Sequence, residues 1–256
     1  MFLELKGIRK SYGTAATRTE VLRGIDLTLQ AGELCVLLGP SGSGKSTLLN
    51  IIGGIDRPDE GEVRIGDDTM GAVSNSALKG MTDRVSGDAS SRAMRDMNDR
   101  ALTDYRRRHL GYVFQMYNLI PNLTVRENIE VGAWLSDDPL PVDELLDTLG
   151  LTEHQDKRPG ELSGGQQQRT AIGRAIVKKP DILLCDEPTG ALDFETSREI
   201  LDLIERVNTR YGNTVLMVTH NTALKDMATR VVRLRDGQIL KNYTNETRIP
   251  ARELEW

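Results

Sequence analysis

Nine residues, Gly39 to Thr47 (GPSGSGKST), lie between an apolar run, Glu33 to Leu38 (ELCVLL), and a second one, STLLNIIGG, which stops at Gly53 and Gly54. The pattern G-x-x-x-x-G-K-[ST] has chemical meaning only between a strand and a helix. The flanking residues predict both, so one strand, loop and helix unit is set by a single stretch. Gly39, Gly42 and Gly44, with Pro40, Ser41 and Ser43 between them, let the loop wrap around phosphate oxygens with main-chain N–H groups pointing inward. The new helix adds its positive end. Lys45 brings a mobile positive charge to the outer phosphates, the Ser46 hydroxyl suits Mg²⁺, and Thr47 is placed for an inner phosphate.

A second stretch, DILLCDEPTGALD from Asp181 to Asp193, ends an apolar run abruptly in two carboxylates. Ile182 to Cys185, bounded by Pro180 and Pro188, has the composition of a strand buried on both faces of a parallel sheet, although a buried helix segment has the same periodicity. Next to a phosphate loop, Asp186 is the acid that holds Mg²⁺, directly or through water. Glu187 is then the carboxylate that orients a water and accepts its proton.

Strand and helix alternate through the second half: a helix around VDELLDTLG, another over SGGQQQRTAIGRAIVKK, the strand above, a helix over ETSREILDLIERVNTR, the strand TVLMVTH, a short helix around TALKDMA, and two short strands near RVVRLRDGQIL. This order predicts an α/β fold with a mainly parallel sheet. Leu3 to Ile8 and Val21 to Leu29 alternate like antiparallel strands, and GEVRIG and HLGYVFQ supply further strands. From Asp67 to about Asp104 the chain turns polar, and we expect a solvated excursion with one amphipathic side, Ala93, Met97, Ala101 and Tyr105. The run Arg106 to Arg108 reads as a solvated face. Cys35 and Cys185 lie in apolar strands and are expected to be buried, reduced thiols.

The formal net charge is −5, which gives no general attraction to nucleic acid, and no nucleic-acid partner is expected. No apolar run reaches the roughly 18 residues that a membrane-spanning helix needs. The opening MFLELKGIRKSYG lacks a long apolar stretch of the secretory type. A cytosolic location is the expectation.

Leu162 to Arg169, LSGGQQQR, lies between the phosphate loop and ILLCDEPTGALD. In that order these motifs resemble those of the ATP-binding-cassette (ABC) ATPases. The resemblance covers nearly the whole chain apart from the 67–104 region. It implies one ABC-type domain over residues 1–256, with a P-loop NTPase core, a small antiparallel β-subdomain, a polar insertion at about 67–104 and a helical subdomain at about 116–178. It also implies ATP and Mg²⁺ as ligands, with Tyr12 stacked on adenine, Gln115 reaching Mg²⁺ and the attacking water, and His220 on the γ-phosphate. Asp193 either couples two subunits or caps a helix. Ser163, Gly164, Gly165 and Gln166 open a helix, so a hydroxyl and free N–H groups form an anion site without a lysine. In the resembling family this signature closes over ATP held by another subunit, which implies a head-to-tail homodimer enclosing two ATP molecules.

MYNLIPNLTVRENI follows Gln115. Its Met116, Tyr117, Leu119, Ile120 and Leu123 either line a groove for a helix from a membrane partner or pack internally. CDEPTGALD and GYVFQMYNLIPNLTVRENI look most like the bacterial lipoprotein-releasing, macrolide-exporting and antimicrobial-peptide-efflux ATPases, which work with FtsX-like permeases. The expected activity is Mg-dependent ATP hydrolysis at the cytoplasmic face of the cell membrane, driving efflux or extraction of an amphipathic substrate through a separate permease. A transmembrane signalling scaffold of the cell-division type is the alternative.

Overall fold

A computed structural model describes residues 2–14, 17–66, 68–71 and 99–255, with the backbone alone for 68–71. The strands are β1 (Leu3–Tyr12), β2 (Thr19–Leu29), β3 (Leu34–Leu38), β4 (Glu60–Ile65), β5 (Asp68–Gly71), β6 (Leu110–Val113), β7 (Ile182–Asp186), β8 (Thr214–Thr219), β9 (Arg230–Arg235) and β10 (Gln238–Thr244). The helices are α1 (Lys45–Ile52), α2 (Asp99–His109), α3 (Val125–Ala133), α4 (Val142–Thr148), α5 (Gly164–Ile176) and α6 (Phe194–Tyr211).

The larger sheet has the order β10-β9-β3-β8-β7-β6, parallel except for the antiparallel edge strand β10. Its central strands are buried on both faces. In β7, Leu183 and Cys185 join a core with α3, α5 and α6, while Ile182 and Leu184 join the opposite core with α1 and the smaller sheet. That two-sided burial is why the stretch lacks a polar alternation. The smaller sheet, β2-β1-β4-β5, is antiparallel and covers the α1 face. Both cysteines are buried and unpaired, and burial pushes their thiols far up in pKa.

Strand order sets the site. The phosphate loop leaves β3 and the two carboxylates leave β7, and β8 lies between these strands, with Leu38 beside Thr219 and Asp186 beside Val218. The carboxyl ends of three neighbouring parallel strands therefore open onto one crevice, as in other open α/β sheets.

The 67–104 expectation needs correction at its described ends. Asp68–Gly71 pairs with β4, and the last residues are helical, as the spacing of Ala101 and Tyr105 suggested, but α2 is docked rather than solvated. Leu102 and Tyr105 are buried, and the Tyr105 hydroxyl donates to the Ile52 carbonyl at 2.8 Å. Ala93 and Met97 lie outside the described residues. The arginine run is not uniformly solvated either, since Arg106 donates to the Gly54 carbonyl at 2.8 Å and so fixes α2 to the end of α1. Four-residue steps marked this helix, but its charge hid how firmly it docks.

After Gln115, within the stretch expected to form a helical subdomain, α3 begins with a capping box: Thr124 accepts from the Glu127 N–H, and Glu127 accepts from the Thr124 N–H. Asn128, fully buried on α3, donates to the carbonyls of Ile120, Leu123 and Thr124 and accepts from the Ile120 N–H. One side chain thus holds the preceding loop closed on its own helix.

Candidate active site

The phosphate loop needs its glycines for two different reasons. Gly42 and Gly44 have φ of 77° and 100°, a region that side chains disfavour. Gly39 instead has no room, because a Cβ there would lie 2.4 Å from the Leu234 carbonyl oxygen and 2.6 Å from Ser43 Oγ. Lys45 is buried and donates to the carbonyls of Gly39 and Pro40 at 2.8 and 2.9 Å, so its ammonium group is held across the loop that it serves. Ser43 Oγ is buried without a hydrogen-bond partner, a polar atom left for a ligand or water.

Tyr12, Ser41, Gly42, Gly44, Lys45, Ser46, Thr47, Glu187 and His220, with Val21, line a single cavity of about 450 Å³. Glu187 lines it directly, and Asp186 reaches it through Ser46. Ser46 Oγ donates to Asp186 Oδ1 at 3.3 Å. Burial pushes the Asp186 carboxyl above its ordinary value and Glu187 adds repulsion, while Ser46 and Lys45 pull it back. Among the described residues no group of three or more His, Cys, Asp or Glu side chains could hold a metal ion. One hydroxyl and one carboxylate suit Mg²⁺, which takes few protein ligands and completes its shell with phosphate and water oxygens.

Glu187 has φ of 48°, an uncommon conformation for a non-glycine residue, and its N–H donates to the Val218 carbonyl at 3.0 Å. Its carboxylate lies 2.9 Å from His220 Nδ1 and accepts a longer bond of 3.5 Å from Thr219 Oγ1. The acid and the histidine expected at the reacting phosphate are thus brought together.

Other expected residues lie outside that cavity. Gln115 packs on Gly190, where a Cβ would come within 2.8 Å of its Nε2, so it sits beside the turn after Glu187. Asp193 caps α6, accepting from the Thr196 N–H and hydroxyl at 3.0 and 2.7 Å, as the capping alternative required. At the signature, Ser163 Oγ accepts from the Gln166 N–H and Gln166 Oε1 accepts from the Ser163 N–H. This capping box uses donors that the sequence reading treated as free, so the Ser163 hydroxyl proton and the N–H groups of Gly164 and Gly165 are what α5 can still offer. Gly164 and Gly165 are tight: a Cβ would come within 2.9 Å of Tyr117 Oη and 2.6 Å of Thr196 Cγ2, respectively.

The sequence reading assigned no role to Gln168, yet its buried Nε2 donates to the Pro188 carbonyl at 2.8 Å, linking the signature helix to the turn after Glu187. Arg174, one turn and a half further along α5, donates to the carbonyls of Asn118 and Tyr117 at 2.7 and 3.1 Å. Both of those residues have positive φ. Met116 and Ile120, in the same loop, are exposed, whereas Tyr117 turns towards Gly164.

The ABC transporter family model matches residues 22–190, from β2 past Glu187. A putative ABC transporter ATP-binding protein of Mycoplasma pneumoniae is 42% identical over 257 residues, covering 99% of this chain and 50% of that protein. The lipoprotein-releasing system ATP-binding protein LolD of Geobacter metallireducens is 42% identical over 243 residues, 93% of this chain and 97% of the relative. The macrolide export ATP-binding/permease protein MacB 1 of Aeromonas hydrophila is 39% identical over 254 residues, covering 97% of this chain and 35% of its own length. The chain therefore spans about half the length of the mycoplasma relatives, a smaller share of the macrolide exporter and nearly all of LolD. Among solved structures, a dimeric ATP-binding cassette in a post-hydrolysis state with bound ADP and Pi superposes with a TM-score of 0.77 at 35% identity, over 94% of this chain and 98% of that one. From the loop at Gly39 to the acids after β7, the fold and the site have one common description: the chain is a member of the ABC transporter family.

Proposed function

We propose that this chain is the Mg-dependent ATPase subunit of a membrane transporter, coupling ATP hydrolysis to efflux or extraction of an amphipathic substrate through a separate FtsX-like permease. The observation that carries the reading is the single cavity in which phosphate loop, Glu187 and His220 meet, with Asp186 bonded to Ser46, one of its lining residues. No helix among the described residues is long and apolar enough to cross a membrane. Attachment at the cytoplasmic face therefore runs through the partner, with exposed Met116 and Ile120 as contacts.

In this mechanism Tyr12 stacks on the adenine, and the loop N–H groups and Lys45 hold the phosphates. Ser46 and Asp186, with Gln115 swinging in from Gly190, would hold Mg²⁺, which supplies charge neutralisation at the phosphates. Glu187 orients the water and takes its proton, while His220 and Lys45 face the charge on the transferred group. Ser163, Gly164, Gly165 and Gln166 of a second copy complete the enclosure, and Asp193 lies at the junction. Two clamped copies separate once water cleaves the γ-phosphate from ATP and leaves ADP and phosphate, because ATP favours the closed state over the open one.

Glu187→Gln tests the chemical assignment. It should retain ATP binding, slow turnover by at least about 100-fold and accumulate an ATP-locked dimer. Near-normal hydrolysis would remove Glu187 from the role.

A further inference from the structure

The end of β1 is tied to the segment after α1 by a group of bonds that the proposed mechanism leaves unused. The Tyr12 hydroxyl donates to Asp56 Oδ2 at 2.6 Å, and Lys10 Nζ donates to Asp56 Oδ1 at 2.6 Å and to the Arg57 carbonyl at 2.6 Å. Asp59 adds two more, accepting from the Ser11 N–H at 2.8 Å and donating its own N–H to the Arg9 carbonyl at 2.8 Å. The Asp56 N–H in turn donates to the Asn50 carbonyl in the last turns of α1, at 3.2 Å. A continuous chain of contacts thus runs from the phosphate-loop helix through Asp56 to the phenol of Tyr12.

We propose that Asp56 is a positioning residue for binding of the nucleotide base: it fixes the Tyr12 ring, by its hydroxyl, in register with the phosphate loop. The proposal rests on the reading of Tyr12 as the adenine platform. Asp56 itself does not line the cavity, whereas Tyr12 and Thr47 do. The carboxylate is held in its charged form. Burial alone would raise its pKa, but hydrogen bonds from Lys10, Tyr12 and the Arg57 N–H outweigh that and keep it below the ordinary range. A charged acceptor makes the phenol bond short and strong. Tyr12 is 43% exposed, so without this bond the ring would have free torsions to lose on stacking. Lys10, whose ammonium lies 5.2 Å from the Tyr12 ring centroid, both holds the carboxylate and faces the ring.

The test compares binding of Mg-ATP with binding of magnesium tripolyphosphate, which has the phosphates but no base, to the full chain. Asp56→Ala should weaken ATP about tenfold, equivalent to about 1.4 kcal/mol, and leave tripolyphosphate unchanged. Asp56→Asn, whose amide oxygen still accepts from the phenol, should recover part of the loss. Tyr12→Phe, which removes only the hydroxyl, should reproduce the Asp56→Ala result and serves if that variant fails to fold. Equal weakening of both ligands by Tyr12→Phe would overturn the proposal, since it would mean a damaged phosphate loop. If Tyr12→Ala weakens ATP while Tyr12→Phe and Asp56→Ala do not, the platform stands and the positioning role falls. If Tyr12→Ala leaves ATP binding intact, the platform reading itself fails, and the proposal with it.

Discussion

Arg174→Ala should lower the stability of the folded chain by about 2–3 kcal/mol, and the value follows from three local quantities. The guanidinium makes two charge-assisted bonds, to the carbonyls of Asn118 and Tyr117 at 2.7 and 3.1 Å, each worth roughly 1.5–3 kcal/mol. Against that stands the loop they hold, with φ of 59° at Tyr117 and 50° at Asn118, a conformation that costs roughly 1–2 kcal/mol per non-glycine residue and less for asparagine. Truncation removes both bonds and lets the loop relax, so about 3–6 kcal/mol lost is offset by about 1–3 kcal/mol of released strain. Burial already lowers the Arg174 pKa, so its charge is held by these carbonyls rather than by bulk water. Urea unfolding is the assay, and a lower midpoint with an unchanged slope is expected. Asn118→Gly supplies the internal control. In the wild-type background it should stabilise by about 0.5–1 kcal/mol, because glycine adopts positive φ freely. In the Arg174→Ala background that gain should vanish, since nothing forces the loop. A change below about 0.5 kcal/mol for Arg174→Ala, or an undiminished glycine gain in the double variant, would refute the strain and clamp relationship.

Asp186→Asn should raise the thermal midpoint of the nucleotide-free chain at pH 7 and abolish the extra stabilisation by Mg-ATP. The sign follows from the raised pKa. A carboxyl whose folded pKa lies above its unfolded value favours folding at low pH, and that contribution is lost as pH rises through the folded pKa. Calorimetry of both variants from pH 4 to 8 in EDTA should show the wild type falling behind as pH rises, and parallel curves would contradict it. Ser163→Ala should cost about 1 kcal/mol through loss of the helix cap yet leave ATP affinity of the single chain unchanged, as equilibrium unfolding and nucleotide titration would show. Weaker monomer binding would instead put Ser163 in its own chain's cavity.

How much of this was legible beforehand depended on distance along the chain. The phosphate loop spans nine consecutive residues and its strand and helix adjoin it, so its motif carries its own structural context. β7 was less plain, because burial on both faces leaves an unbroken apolar run that a buried helix segment shares, and the acids after it beside a phosphate loop pointed to the strand. The pairing of Tyr12 with Asp56, of Arg174 with Tyr117 and Asn118, and of Gln168 with the Pro188 carbonyl had no such local mark. Each depends on how separate elements dock. The Asp193 cap was readable as an alternative because capping is a local relation, whereas at Ser163 only a helix start was read and the reciprocal bonds with Gln166, which use two of its donors, were missed. α2 was misjudged at its C-terminal half because charge was taken for solvation, whereas Arg106 uses its charge to bond the Gly54 carbonyl.

A mixing experiment addresses the head-to-tail pair most directly. Lys45→Ala spoils one chain's phosphate loop, and Ser163→Arg blocks the signature of another, so neither variant alone can build an intact site. Combined, the loop of the second and the signature of the first make one good site per pair. ATP hydrolysis should be weak for each variant alone and recover in the mixture to about a quarter of the wild-type rate per chain, given random pairing and one working site per mixed dimer. No recovery on mixing, or full activity from Ser163→Arg alone, would contradict a nucleotide clasped between two copies.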